Sequence, residues 1–251
     1  MEFVKKPNLP EGRVKWAIAD GRIDGDIEEG LKKNGVGIIK TYSYPGTYDA
    51  ICCHPDILLH HLGEERIIYA PGVDVELISR LASLGFRMIR GETALGAQYP
   101  GNVAYNAARI GSFLFHNLKF TDPLLKREME NSNVELVHVN QGYTKCSVSI
   151  VNEKSIITSD RGIAKEAEKR GIEVLLIQPD SGIKLPGLDM GFIGGCSGLI
   201  GPKRWAVTGN LKNLKSYGII KNFLCSKGVE LCCLSRGMVV DTGSILPIIT
   251  E

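Results

Sequence analysis

The sequence predicts an α/β fold made of five β-β-α-β units set around a pseudo-fivefold axis, the ring closed by the C-terminal strand. Three observations carry the prediction. A helix-like stretch, a small turn residue and a β-rich run recur five times, at 31–40, 81–90, 129–138, 167–177 and 224–234. A strand-like run precedes each helix. A further strand-like run opens four of the units, and the missing one appears at the other end of the chain.

The five junctions turn on Gly35, Gly85, Asn133, Gly171 and Gly228. Gly and Asn are the residues that enter the left-handed conformation after a helix at low cost. The strand-like runs before the helices read WAIAD (16–20), RIIYA (66–70), SFLFH (112–116), SIITS (155–159) and RWAVT (204–208). Asp24, Asp74, Asp122 and Asp160 follow four of them as N-caps, because a carboxylate accepts the first unpaired amide hydrogens of a helix. Gly209 and Asn210 stand in the fifth. In the second unit Leu77, Ile78, Leu81 and Leu84 form one apolar stripe, away from Glu76, Ser79 and Arg80. The opening runs are 48–60, 102–111, 143–151 and 190–201, and 237–249 supplies the first unit from the far end. Closing a ring in this way removes an exposed sheet edge. Residues 1–14 read as an extended arm and 15–251 as one domain.

Composition narrows the function. Thirty Lys+Arg against 28 Asp+Glu leave a net charge of +2, which argues against nucleic acid or membrane binding by bulk charge. No apolar run approaches the roughly 18 residues of a membrane span. The opening MEFVKKPNLPEG lacks the apolar stretch of a secretory signal. Seven cysteines, an odd number with two adjacent pairs and no CxxC, suit reduced thiols in the cytoplasm.

On GYTKCSVSIVNEKSIITSDRGIAKEAEKRGIEVLLI and the terminal DTGSILPI, residues 15–249 resemble the pentein superfamily, the fold of the guanidino-group-modifying enzymes, and most closely a bacterial family of unknown function within it. The resemblance implies a pentein-type α/β propeller. In the enzymes a cysteine on the closing strand attacks a guanidinium carbon. A histidine on the first strand of the fourth unit moves protons, and carboxylates hold the cation. The superfamily also contains eukaryotic translation initiation factor six, a non-enzyme that binds the large ribosomal subunit, so fold does not settle function. Here Gly243 or its neighbour stands where the cysteine is expected. Tyr143, Thr144, Lys145, Cys146 and Ser147 occupy the histidine's stretch. The activity is therefore not carried over.

Aligning the opening runs places Gly243, Cys53, Ala107, Cys146 and Cys196 in one column and Ser244, His54, Ala108, Ser147 and Ser197 in the next. Equivalent positions in a ring converge, so Cys53, Cys146 and Cys196 are expected near the axis with His54 beside them. The candidate ligand-binding residues around them are Asp56, Asn106, Lys145, Ser197, Asp241 and Ser244. Two functional readings follow. In one, Cys53, Cys146 or Cys196 is a nucleophile with His54 as base, its pKa lowered by Lys145 or His54. In the other, Cys53, His54, Cys146 and Cys196 hold a soft metal such as zinc, although no standard metal spacing is present and no metal or other cofactor is expected. The plainer reading makes Cys146 and Cys196 small buried hydrophobes. Pro55 after His54 suggests a strand interruption that aims a side chain. His60 and His61 read as a solvated hairpin turn. GFIGGCSGLIG lacks the phosphate-loop pattern, and its glycines read as room for crowded backbones. The function expected is a non-hydrolytic binding protein with a small-molecule ligand in the axial pocket. The alternative is a cysteine-dependent hydrolase or transferase acting on a guanidine, amidine or amide.

Overall fold

The computed structural model describes residues 1–251, and five of its sheets repeat one topology. The first orders Glu2–Phe3, Leu246–Thr250, Val14–Ala19 and Gly37–Lys40 side by side. The second joins Leu59–Gly63, Arg66–Tyr69 and Arg87–Arg90, and the third Ala108–Ile110, Phe113–His116 and Glu135–His138. The fourth joins Val148–Asn152, Ser155–Thr158 and Glu173–Leu176, and the fifth Ser197–Gly201, Arg204–Val207 and Glu230–Cys233. In each, a hairpin or a returning strand gives an antiparallel pair, and the next strand lies parallel. A parallel pair needs a crossover. Helices Gly25–Lys33, Val75–Ser83, Pro123–Asn131, Arg161–Glu168 and Tyr217–Ser226 provide the five crossovers. A short parallel pair, Ile183–Lys184 with Val239–Val240, stands apart.

The local chemistry follows the repeat. Gly35, Gly85, Asn133, Gly171 and Gly228 all have positive φ, between +54° and +95°. Asp74, Asp122 and Asp160 each accept a hydrogen bond from a first-turn amide, whereas Asp24 makes no such bond. Asn210 caps the 3-10 turn Leu211–Asn213. Leu77 and Leu81 are buried on the inner stripe of their helix. Strand Leu246–Thr250 lies between Glu2–Phe3 and Val14–Ala19, so the last strand completes the first sheet. No helix is long and apolar enough to cross a membrane.

Two expectations need correction. Four of the opening runs, 48–60, 102–111, 143–151 and 190–201, are strand only in their second halves. Pro55–Leu58 and Thr144–Ser147 are short helical turns, and 102–107 and 190–196 are turns and loop. Pro55 has no amide hydrogen for a ladder, and the glycines at 194 and 195 admit backbone where a side chain would not fit. A Cβ on Gly194 would lie 2.4 Å from the Lys145 carbonyl oxygen. His60 and His61 are not a solvated turn. They lie in strand Leu59–Gly63 and are buried, and the hairpin turns at Gly63 and Glu64, both with positive φ.

The ladders also reset the alignment. Leu59, Val148 and Ser197 face Tyr69, Thr158 and Val207 on equivalent rungs. Extended to the other two sheets, this register groups Gly243, Cys146, Gly195, Ile57 and Tyr105. Cys196 falls one residue later than that position, Ala107 two later and Cys53 four earlier. Loops of unequal length precede the five strands, so spacing alone misaligned three of them.

Candidate functional site

The loops before the five opening strands are stitched head to tail. The Asp56 amide donates to Gly243 O, and the amides of Thr242 and Ser244 both donate to Gly195 O. The Gly195 amide donates to Cys146 O, and the Lys145 amide to Asn106 O. Asn106 Nδ2 closes the circuit by donating to Asp56 O at 3.1 Å. Four of the loops bring Asp56, Asn106, Lys145 with Cys146, and Ser244 into one cluster, and the backbone bonds satisfy the peptide groups those loops would otherwise bury unpaired.

Asn106, fully buried, is the hub. Its Oδ1 accepts from the amides of Lys145 at 2.9 Å and Cys146 at 3.3 Å. Its Nδ2 also reaches Cys146 Sγ at 3.1 Å. The Cys146 thiol lies 3.2 and 3.4 Å from the two oxygens of Asp56. Ser244, held at φ +76°, donates to Asp56 Oδ2 at 2.7 Å and accepts from Lys145 Nζ at 2.8 Å. Burial pushes the Cys146 thiol well above its ordinary pKa, and the carboxylates of Asp56 and Asp241 push it further. Burial lowers Lys145, and Asp56 heads the anions that oppose that shift. This thiol is a protonated donor, not a standing thiolate.

His54 lies beside this cluster, 1% exposed. Its Nε2 is 3.8 Å from Asp20 Oδ2 and its Nδ1 3.9 Å from Asp241 Oδ1. Arg22 grips Asp20 with two parallel bonds, Nε to Oδ1 at 3.0 Å and Nη2 to Oδ2 at 2.7 Å, and also reaches the carbonyls of Asp49 and Ala50. That fork raises the Arg22 pKa. Asp241 accepts the amides of Phe192 at 2.8 Å and Gly243 at 3.0 Å, and burial raises its pKa. A pocket of about 210 Å³ opens here, lined by Asp20, Arg22, His54, Asp241 and Thr242 among others. His54 Nδ1 and Thr242 Oγ1 are buried in its wall without a hydrogen-bond partner.

The three cysteines expected at the centre have different surroundings. Cys146 is in the cluster. Cys196 donates to Ile193 O at 3.2 Å and is pushed well above its ordinary pKa, chiefly by burial. Cys53 faces Cys52, with 3.8 Å between the sulfurs, and Asp20. Burial first and Asp20 second push its pKa up to about 12. Ser197 bonds Ser149 at 2.7 Å and Ile193 O at 2.8 Å, away from the pocket-lining residues. Asp56, Asn106, Lys145 and Ser244 join Cys146, while Asp241 joins His54. The sequence reading missed Asp20, Arg22 and Thr242. Asp20 ends a predicted strand, and an Asp-Gly-Arg turn there was the available signal.

At Gly243, φ is +67° and a Cβ would lie 2.3 Å from the Cβ of His54. No side chain fits at Gly243, and its neighbour Ser244, the other position the resemblance allows for the cysteine, is a serine bonded to Asp56 and Lys145.

The fold is mixed α/β, and Thr242, Gly243 and Ser244 of its closing segment include no cysteine. Residues 18–246 match a family of unknown function, DUF6873, and the chain belongs to it. No curated protein matches the chain. Among solved structures it is similar to inosamine-phosphate amidinotransferase from Streptomyces griseus, with 12% identity over 97% of this chain and 96% of that one and a TM-score of 0.59. It is similar to agmatine deiminase from C. jejuni with bound substrate, at 9% identity over 99% and 96% and a TM-score of 0.58. It also resembles DDAH from Pseudomonas aeruginosa complexed with citrulline, at 11% identity over 94% and 100% and a TM-score of 0.57. At these identities the likeness is one of fold.

Proposed function

We propose that this chain is a non-hydrolytic binding protein. In this reading residues 15–251 are a single pentein-type domain whose five units surround a pseudo-fivefold axis, and residues 1–14 are an arm laid against it. The closed circuit of loop hydrogen bonds supports that arrangement. A small polar ligand occupies the pocket beside His54, accepting or donating at Nδ1 and Thr242 Oγ1 and facing Asp241. Buried polar atoms without partners are costly, by about 1–3 kcal/mol each, and an occupant that pairs them recovers that free energy. The observation that carries the non-hydrolytic half is the closing segment itself: no cysteine stands at 243 or 244, and Gly243 packs against His54 so that no side chain fits there. Seven free cysteines accord with a reducing cytoplasm.

A second reading rests on one observation. His54, Asp56 and Cys146 bring a donor atom each within 4.8 Å of the others, the content of a thiol site relocated from the closing strand. The two readings divide on turnover. The chain is incubated with guanidines, amidines and ureas, including agmatine and citrulline, while thermal shift and mass spectrometry are recorded together. Binding shifts without any product or adduct support the binding protein. Product formation abolished by Cys146→Ala would replace it with the relocated thiol enzyme.

A further inference from the structure

Cys146, Asp56 and His54 present sulfur, oxygen and nitrogen donors at one point, all buried and mutually within 4.8 Å. The Sγ of Cys146 is already 3.2 Å from Asp56 Oδ2. His54 Nδ1 carries no hydrogen bond although its side chain is almost fully enclosed. Its other nitrogen faces Asp20, which is itself fixed by Arg22. This is the outer arrangement that orients a ligating imidazole. Asn106 Nδ2 points at the sulfur and Ser244 Oγ at the Asp56 carboxylate, so the other two donors have supporting partners as well.

Charge points the same way. Asp20 and Arg22 cancel each other across their ion pair. Lys145 reaches Asp56 through Ser244 and offsets one carboxylate. Asp241 then has only two backbone amides and the distant His54. A divalent ion with Cys146 as thiolate would bring the group to balance. Two charges from the ion and one from Lys145 would meet one each from the thiolate, Asp56 and Asp241.

We propose that His54 Nδ1, Asp56 and Cys146 form a mononuclear site for a borderline-soft divalent metal, zinc being the best match to that donor set, with the fourth position between His54 and Asp241 on the pocket side. Loading replaces the thiol proton by a metal–sulfur bond, and that proton leaves to solvent. No electron is transferred. The site deepens the binding reading, because the ion would be what the pocket offers a ligand at His54, leaving Thr242 and Asp241 to touch the ligand directly.

The test uses the full chain, stripped with a chelator and titrated with zinc or cobalt alone, without any organic ligand. The expected result is one ion retained per chain, release of a proton on loading, and a thiolate-to-cobalt charge-transfer band. The band disappears in Cys146→Ser and persists in Cys53→Ser and Cys196→Ser. His54→Gln weakens retention by at least about tenfold, the scale on which loss of even a supporting partner acts. If Cys146→Ser does not fold, the cadmium NMR shift of the unmutated chain decides, since one sulfur ligand moves it away from the all-oxygen range. No retained ion, a band that survives Cys146→Ser, or an all-oxygen cadmium shift overturns the metal site. Because no organic ligand is present, none of these outcomes bears on whether the pocket binds one.

Discussion

The backbone of Gly243 lies against the side chain of His54 so closely that a Cβ on residue 243 would approach the histidine Cβ to 2.3 Å. The space that a side chain at 243 would occupy is already filled by the imidazole-bearing carbon of His54. The loop 241–244 is held there by Asp241, whose carboxylate takes the Gly243 amide, and by paired amides on Gly195.

Replacing that glycine therefore does not restore a nucleophile. Gly243→Cys and Gly243→Ala are each expected to lower stability by about 2–5 kcal/mol, from positive φ and overpacking together. Urea unfolding measures this. A Gly243→Cys chain as stable as the original, and turning over a guanidine, would refute the packing argument.

Asn106→Ala should cost about 2–4 kcal/mol. It leaves the Cys146 amide and the Asp56 carbonyl without their side-chain partner and opens the circuit between two loops. Asn106→Ala with unchanged urea midpoint and slope would show that the circuit does not hold the loops.

Thiol reactivity in the folded chain should rank by burial. Cys225 and Cys233 are exposed and are expected to alkylate first. Cys146 and Cys196 are buried with raised pKa values and should react only on unfolding. Cys53, held up at about 12, should also resist near neutral pH. Site-resolved alkylation against pH measures the order. Rapid native alkylation of Cys146 would favour the relocated thiol site instead.

Acid should destabilise the chain before its carboxylates titrate. Burial lowers His60 to about 3 and His61 and His116 to about 4, from the ordinary 6.5. A depressed pKa means that the unfolded chain takes up the proton first. The stability these groups confer as neutral side chains is present above pH 6.5 and is lost as pH falls toward their folded values. Each contributes up to about 1.4 kcal/mol per pH unit in that window. Urea midpoints between pH 7 and pH 4 should fall steeply, and less so in His60→Gln. A flat profile would contradict burial of the three rings as neutral groups.

The repeat was legible because each junction carries its own chemical mark. Gly35, Gly85, Asn133, Gly171 and Gly228 are there for a left-handed backbone, and the structure gives each of them one. For the candidate site, the sequence marks several of the residues that cluster but not which of them meet. His54, Asp56, Asn106, Cys146 and Ser244 stand out as polar or reactive groups amid apolar strands. Which of them meet depends on the lengths of the loops before the strands, and no periodicity encodes those. Pro55 starts a helical turn that separates Cys53 from the equivalent position in its neighbours. Asp20 and Arg22 were hidden for a different reason. An acid at the end of a strand looks like a cap, and only the folded chain shows it turned toward His54.

Strand Leu246–Thr250 occupies an inner place in its sheet, with Phe3 opposite Ile249 on one side and Ile18 opposite Leu246 on the other. The sheet built on Val14–Ala19 is therefore incomplete until Leu246–Thr250 is in place. Val14–Ala19 must wait with one ladder open until residues more than two hundred positions later arrive, and such distant pairing slows folding. The loop 241–244, with Asp241 and Ser244, runs directly into that strand. One stretch of chain thus sets both a wall of the pocket and the first sheet, so loosening that strand from its neighbours is expected to disturb the pocket as well.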